Sequence, residues 1–388
     1  MNLSVSLCRA LLALILTFVS SLAFGALPTV PYIAAKSYVL LDYSANQMLA
    51  THNANERVEP ASLTKLMTAY LVFAALKDKR IQPVQSVTVS ERAWKTTGSR
   101  LFIEPKRPVT VDDLVRGMIA VSGNDASVAL AELVAGSEEA FAQLMNREAQ
   151  RLGMQNTRFA NATGLPDSGH YSTAWDLTLL AAAIVRDYPE YYPLYSLKEF
   201  RYNNITQPNR NRLLWSDPAV DGMKTGYTDA AGYCLVTSAK RGERRLISVV
   251  LGTDSESARA TESQKLINYG FQSYDDVKFY AAGQPVSSVP VWKGAAGSVK
   301  AGFASDLRVA LPKGIAGTAR QNERVVAQME STQPLIAPVA AGQKVGVLRL
   351  TLDGKPFLEY TVVALEAVAP AGIFGRAWDT VRLWFKSR

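Results

Sequence analysis

Ser62 and Lys65 stand three residues apart in Pro60-Ala61-Ser62-Leu63-Thr64-Lys65, at the head of an apolar helical pattern. Residues at that spacing share one face of a helix. A serine hydroxyl is a weak nucleophile near neutral pH and needs a base. A lysine can be that base if burial and neighbouring cations leave it a free amine. Free backbone N–H groups at a helix start, together with the helix dipole, suit a developing oxyanion. Taken alone, the same residues also read as an N-cap serine followed by a solvated lysine. Two further stretches bear on the choice. Ser122-Gly123-Asn124 can project two short polar side chains from a tight loop into a cleft, although each residue is ordinary in a turn. Lys224-Thr225-Gly226 offers a cation and a hydroxyl to an anionic group, and Gly226 lets another group approach the backbone.

The elements that must position these residues follow from periodicity. Leu63, Leu66, Met67, Tyr70, Leu71 and Ala74 recur at helical spacing, so the Ser62 helix is predicted to be largely buried, and a buried lysine normally has a partner or a function. A strand over Ser37–Tyr43, a turn at 44–46 and a returning strand over 47–51 form a hairpin. Thr110 caps a helix over 111–119 with acids in its first turn, and a new helix begins right after Asp125. Helices over 141–152 and 177–185 flank a polar loop at 153–175, and 189–215 reads as irregular. Strand signals at 220–228, 232–239 and 244–252, joined by short turns, imply an antiparallel sheet with Lys224-Thr225-Gly226 on an edge facing the cleft. A helix over 260–271 packs on that sheet. From 277 to 368, short apolar runs at 286, 289–292, 307–312, 344–350 and 360–364 alternate with Gly/Pro turns, the texture of a separate small all-β domain. In the tail, Ile373, Phe374, Ala377, Trp378, Val381, Trp384 and Phe385 fall on one helix side and Arg376, Asp379, Arg382 and Lys386 on the other. That pattern fits an in-plane membrane helix, and a helix docked on its own β domain or on a second copy is the other reading.

Composition sets outer bounds. The chain of 388 residues with 48% hydrophobic content can bury one large core and a second domain. Its net charge of +8 comes without a basic block interleaved with aromatics, so no nucleic-acid partner is expected, and it suits an acidic wall polymer or anionic lipid surface. Arg9, the apolar run over 10–19 and the small residues Ala23 and Gly25 read as a secretory signal over 1–25, with an uncleaved anchor as the other reading. Cleavage removes Cys8 and leaves Cys234, in an apolar strand, with no partner for an intrachain disulfide. The two histidines, His52 and His170, lie outside recognisable motifs, so neither a histidine-based triad nor a metal is expected, and no cofactor is called for.

Ser62-x-x-Lys65, Ser122-x-Asn124 and Lys224-Thr225-Gly226, in that order, form the set shared by penicillin-binding proteins and serine β-lactamases. The chain resembles the low-molecular-mass penicillin-binding proteins, the D-alanyl-D-alanine carboxypeptidases of the peptidase S11 family. Longer local matches are Ser122-Gly123-Asn124-Asp125-Ala126, Asp221-Gly222-Met223-Lys224-Thr225-Gly226 and Asn209-Arg210-Asn211 before Leu213-Leu214-Trp215. The resemblance implies an α/β (α+β) fold of the β-lactamase/DD-peptidase type over 26–274, with an antiparallel sheet and a helical subdomain. A small β-sandwich-like domain over 275–369 and an amphipathic membrane-anchoring helix over 370–388 follow. It implies that Ser62 attacks the D-Ala-D-Ala bond of a peptidoglycan stem, that Lys65 is the acylation base, and that Ser122 relays a proton between Lys65 and the leaving amine. Asn124 would hold the substrate amide, Lys224 would support Ser122, and Thr225 and Gly226 would lie along the substrate. The N–H groups of Ser62 and Tyr227 would form the oxyanion hole, and Arg259, with Arg210 in support, would meet the terminal carboxylate. Surface salt bridges are the plain reading of both arginines. β-Lactams would act as covalent inhibitors, and the enzyme would lie on the periplasmic face of the inner membrane. Tyr227 departs from the histidine that often follows Lys-Thr-Gly in the family, which bears on pH profile and substrate preference. The alternatives are an endopeptidase, a β-lactamase and a non-catalytic wall-binding protein. A class A β-lactamase needs a loop carboxylate for deacylation, and between Asn156 and Asp187 the only carboxylates are Asp167 and Asp176.

Overall fold

The computed structural model describes residues 27–316 and 321–386. The expected signal segment, 1–25, lies outside the described residues. The chain divides into two units, one formed by 30–279 with 307–313, the other chiefly by 280–306 and 314–388.

The larger unit is built on a five-stranded antiparallel sheet. Its strands are β1 (Ser37–Asp42), β2 (Gln47–His52), β3 (Val220–Thr228), β4 (Gly232–Arg241) and β5 (Arg244–Thr253), in the order β2-β1-β5-β4-β3. Side chains alternate between the two faces of a strand, and here both faces are buried. Val39, Leu41, Cys234, Val236, Ile247 and Val249 enter one core, while Leu40, Leu235, Leu246 and Val250 enter a second. Helix α6 (Glu256–Ser273) covers the second face through Leu266, Ile267 and Tyr269. The first face packs against the helical part, which contains α1 (Lys65–Lys77), α2 (Val111–Ala120), α3 (Asn124–Ala135), α4 (Glu138–Arg151) and α5 (Ala174–Asp187).

Capping side chains set the helix starts. Thr110 and Asp113 form a reciprocal capping box on α2, and Ser137, Thr173 and Ser255 cap α4, α5 and α6. α1 is buried on nearly all sides, as its apolar spacing predicts. The segment 189–215, expected to be irregular, holds a 3-10 turn (Tyr192–Ser196), a hairpin (Glu199–Tyr202 with Ile205–Pro208) and a short helix (Leu213–Ser216). The run Leu307–Pro312, expected in the small β domain, instead pairs with Tyr274–Tyr280 in the larger unit. There the Gln47 amide bonds both backbone groups of Ala310, at 3.1 and 2.9 Å.

The smaller unit holds a six-stranded sheet in the order Val325–Ser331, Lys344–Leu352, Lys355–Ala364, Ser298–Gly302, Pro285–Trp292, Leu335–Ile336. All its pairs are antiparallel except the last. The tail helix, Ile373–Lys386, belongs to this unit. Asp379 accepts from the Lys293 backbone N–H at 2.6 Å, and the Arg382 guanidinium lies 5.8 Å from the Trp292 ring centre.

One buried carboxylate ties the start of α3 to the segment 101–103. Asp125, fully buried, accepts from the backbone N–H groups of Leu101 (2.8 Å), Phe102 (2.8 Å) and Ile103 (3.2 Å). Asp125→Ala strands those donors and is expected to destabilise the protein by about 3 kcal/mol. Urea melts check the magnitude, and hydrogen exchange should accelerate first at residues 101–103; unchanged protection there contradicts the assignment.

Candidate active site

Ser62 lies in a single 3-10 turn, Ala61–Thr64, that runs straight into α1. In such a turn residues i and i+3 are eclipsed. Lys65 is therefore stacked over Ser62, and its Nζ is 2.9 Å from Ser62 Oγ. No side chain caps this turn, so Ser62 is not an N-cap. Ala61 takes a left-handed conformation (φ +47°) at the entry.

Lys65 is only 2% exposed. Its Nζ also donates to Asn124 Oδ1 at 2.7 Å and to the Thr163 carbonyl at 2.6 Å. Asn124 is oriented by its own Nδ2, which donates to the Thr97 carbonyl at 2.7 Å. Lys65 thus meets two oxygens that can only accept and one hydroxyl that can donate or accept. Burial lowers its pKa from the ordinary 10.5 to about 7; Arg210 adds repulsion and Asp125 acts the other way. A neutral amine has two N–H bonds and one lone pair. The carbonyls of Asn124 and Thr163 take the former, and the lone pair is left facing the Ser62 hydroxyl.

Ser122, in the left-handed region at φ +63°, accepts from Lys224 Nζ at 2.9 Å. Lys224 also donates to the Thr225 carbonyl at 3.0 Å. Burial first, then Lys65, Arg210 and Arg259, holds the Lys224 pKa well below its ordinary value. The hydrogen bonds therefore pair Ser122 with Lys224 and Lys65 with Asn124, and the Asn124 amide is engaged at both ends within the protein.

Lys224, Thr225, Gly226 and Tyr227 lie on β3, whose paired side faces β4 and which forms the edge of the sheet. Gly226 backs onto the Ser62 turn: a Cβ there would sit 3.1 Å from the Pro60 carbonyl oxygen and 3.3 Å from Ala61 Cβ. The Tyr227 ring turns outward, packs on Tyr233 at 4.3 Å between centroids, and donates its hydroxyl to Asp229 at 2.8 Å. Arg259 is buried on α6. It donates to the Gly226 and Arg210 carbonyls, each at 3.4 Å, and pairs with Glu256 at 3.5 Å, so it is more than a surface salt bridge. Arg210 is exposed. Ser62, Ser122, Asn124, Thr225, Gly226, Tyr227, Arg210 and Arg259 line one cleft of ≈ 340 Å³. Lys65 and Lys224 reach it through the two serine hydroxyls.

Sequence reasoning missed the wall formed by Gly98, Ser99, Thr163, Gly164 and Leu165. Thr163 acts through its carbonyl, which any residue type would supply. Gly164 (φ +82°) carries a readable signal only in hindsight, since a Cβ there would fall 1.8 Å from the Ala61 carbonyl oxygen. His52 ends β2, where it stacks on Tyr38, and Cys234 is buried in the core. Among the described residues no group of three His, Cys, Asp or Glu side chains is placed to hold a metal ion.

A two-part fold of sheet, helical part and separate β unit, with a buried lysine on a serine hydroxyl, defines a serine peptidase of the penicillin-binding class. The profile of Peptidase S11, D-alanyl-D-alanine carboxypeptidase, matches residues 25–255, and that of the penicillin-binding protein 5 C-terminal domain matches 274–370. The chain is 43% identical over 379 residues to the D-alanyl-D-alanine carboxypeptidase DacC of Escherichia coli K12, covering 94% of this chain and 93% of the relative. It superposes on penicillin-binding protein 5 from Haemophilus influenzae with a TM-score of 0.82 at 42% identity, covering 89% of this chain and 100% of that one. It also matches the ampicillin-bound form of penicillin-binding protein D2 from Listeria monocytogenes, with a TM-score of 0.58 at 32% identity, over 63% of this chain and 99% of that one. The chain belongs to the Peptidase S11 family of D-alanyl-D-alanine carboxypeptidases and is a serine hydrolase.

With its pKa at about 7, Lys65 can accept a proton only when unprotonated, and a reaction that uses it as the base follows its titration. Acylation by a penicillin should therefore rise with pH up to about 7 and level off above it, falling roughly tenfold per unit below. Stopped-flow measurement of adduct formation checks this, and a flat profile through that range contradicts it.

Proposed function

We propose that Ser62 is the nucleophile and Lys65 its base in removal of the terminal D-alanine from a peptidoglycan pentapeptide. The observation that carries this is the buried Lys65 amine, 2.9 Å from Ser62 Oγ, with its other two partners both carbonyls. Ser62 Oγ attacks the D-Ala-D-Ala carbonyl carbon as its proton passes to Lys65 Nζ. The oxyanion is held by the backbone N–H groups of Ser62 and Tyr227, a placement supported by the close approach of β3 to the Ser62 turn. Collapse breaks the C–N bond. Ser122, its oxygen held by Lys224, relays the proton from Lys65 to the leaving amine, and water then hydrolyses the ester. Asn124 keeps the amine of Lys65 aimed and, through its second Nδ2 hydrogen, holds the substrate amide. Thr225 and Gly226 run along the substrate, and Arg259, with Arg210, meets the terminal carboxylate. In a β-lactam the broken amide is in a ring, so the leaving nitrogen stays tethered and the acyl-enzyme persists.

The tail is the membrane contact in this reading, and the enzyme works as an exported protein at the periplasmic face of the inner membrane. No helix among the described residues is long and apolar enough to cross a membrane. Asp379 and Arg382 face the β unit, whereas Ile373, Phe374, Trp378, Trp384 and Phe385 are exposed, Phe374 at 91%. An amphipathic helix with aromatics and cations lies in a lipid interface.

Two experiments test these assignments. Ser62→Ala should abolish both capture of a labelled penicillin and release of D-alanine from a D-Ala-D-Ala peptide; rapid penicillin turnover by the intact protein would instead make it a β-lactamase. Deleting residues 371–388 should free the protein from anionic vesicles in sedimentation while soluble-substrate turnover is kept, and unchanged sedimentation would refute the anchor.

A further inference from the structure

His170 and Thr64 are both buried and neither belongs to the catalytic set assigned above, yet they meet directly beneath it. His170 Nε2 is 2.8 Å from Thr64 Oγ1, one residue before Lys65 and two after Ser62. The Ala160 backbone N–H approaches His170 Nδ1 at 3.4 Å. Nδ1 is thus the acceptor, Nε2 carries the proton, and the neutral ring donates to the Thr64 hydroxyl. The ring is fixed in orientation by Phe159, packed edge-to-face at 5.7 Å.

The segment that carries His170 grips the Ser62 turn from several sides. Val58 and Ser172 exchange two backbone hydrogen bonds, each at 2.9 Å, just before the turn. Thr163 offers its carbonyl to Lys65, and Ala162 offers its own to Thr68 Oγ1 at 2.7 Å. Gly164 lies so close that a Cβ would come 2.8 Å from Thr64 Oγ1 as well as 1.8 Å from the Ala61 carbonyl oxygen. Of these contacts, only the His170–Thr64 bond is made by side chains at both ends and reaches inside the Ser62–Lys65 turn.

We infer that His170 is a positioning residue: through its hydrogen bond to Thr64 it sets the 3-10 turn that stacks Lys65 on Ser62. This rests on the assignment of Ser62 and Lys65 given above. The ring need not carry a charge to do this. Burial lowers its pKa to about 4, with Lys65 adding repulsion and Asp167 opposing it, so it is neutral wherever Lys65 is a useful base.

Acylation of the full-length protein by a fluorescent penicillin, followed with D-alanine release from a D-Ala-D-Ala peptide, tests the inference. His170→Ala and Thr64→Val should each slow acylation by about ten- to a hundredfold, the cost of a small misplacement of reacting groups. The effect should fall on kcat, with KM little changed. The double variant should be no slower than either single one, because both remove the same contact. His170→Gln, which can present an N–H at the Nε2 position, should recover most of the rate and keep the wild-type pH profile. If His170→Ala does not fold, Thr64→Val and His170→Gln carry the test alone. Losses that multiply in the double variant, a His170→Gln enzyme as slow as a Thr64→Val one, or a rise in KM at unchanged kcat overturns the inference. So does a pH limb lost in His170→Gln, which would make the ring a proton carrier. Labelled adduct on Ser62 in every variant separates these outcomes from failure of the nucleophile assignment itself.

Discussion

The site depends on how few donors and acceptors surround one buried nitrogen. An exposed lysine is an ammonium with water on all three hydrogens. Lys65 has three protein partners, and two of them, the Asn124 and Thr163 carbonyl oxygens, can only accept. Burial disfavours the charged form. The neutral form fits the same three positions if the third partner donates, and a serine hydroxyl can donate. The Lys65–Ser62 pairing is therefore the hydrogen-bond pattern that a desolvated amine adopts in that niche, and in the mechanism proposed above it is what makes the serine nucleophilic.

Every part of the niche is held from a different place in the chain. The 3-10 turn supplies Ser62 and Lys65 in eclipsed register. The start of α3 supplies Asn124, and Asp125 beside it anchors the backbone of 101–103. The loop before α5 supplies the Thr163 carbonyl, and Asn161 Oδ1 organises that corner by accepting from the Thr163 and Gly164 N–H groups, at 3.1 and 2.8 Å. β3, at the edge of a sheet buried on both faces, closes the remaining side with Lys224. A second buried lysine so near raises the cost of charging either one, which ties the two amines together electrostatically.

How much of this could be read from the chain depended on whether a residue acts through its side chain. Ser62, Lys65, Ser122, Asn124 and Lys224 are side-chain residues in recurring local patterns, and the structure gathers all five. Their hydrogen-bond partners were only partly legible: Lys224 was expected to support Ser122 and bonds it, whereas Asn124 turns its oxygen to Lys65, a choice settled by three-dimensional packing. Thr163 contributes a backbone carbonyl and left no mark in composition. In the fold, the strands of the larger sheet and the helix capped by Thr110 were plain, because period and capping chemistry are local. The helices capped by Ser137, Thr173 and Ser255, by contrast, begin at Glu138, Ala174 and Glu256, ahead of the 141, 177 and 260 expected from apolar spacing alone. Leu307–Pro312 looked like any other apolar strand of the small β unit, and only the Gln47 amide and its pairing with Tyr274–Tyr280 reveal where it belongs. The hairpin and short turns within 189–215 are brief and partly exposed, so periodicity had too few residues to act on.

The most direct measurement is a titration of the Lys65 amine itself in the free enzyme. Lysine labelled with carbon-13 at the ε position, observed by NMR, reports charge through its chemical shift, and Lys65→Arg and Lys224→Arg variants assign the two buried resonances. The Lys65 signal is expected to titrate near pH 7. A Lys65 signal that stays in the ammonium form up to its ordinary value of 10.5 would contradict this, because no free amine would then face Ser62 near neutral pH.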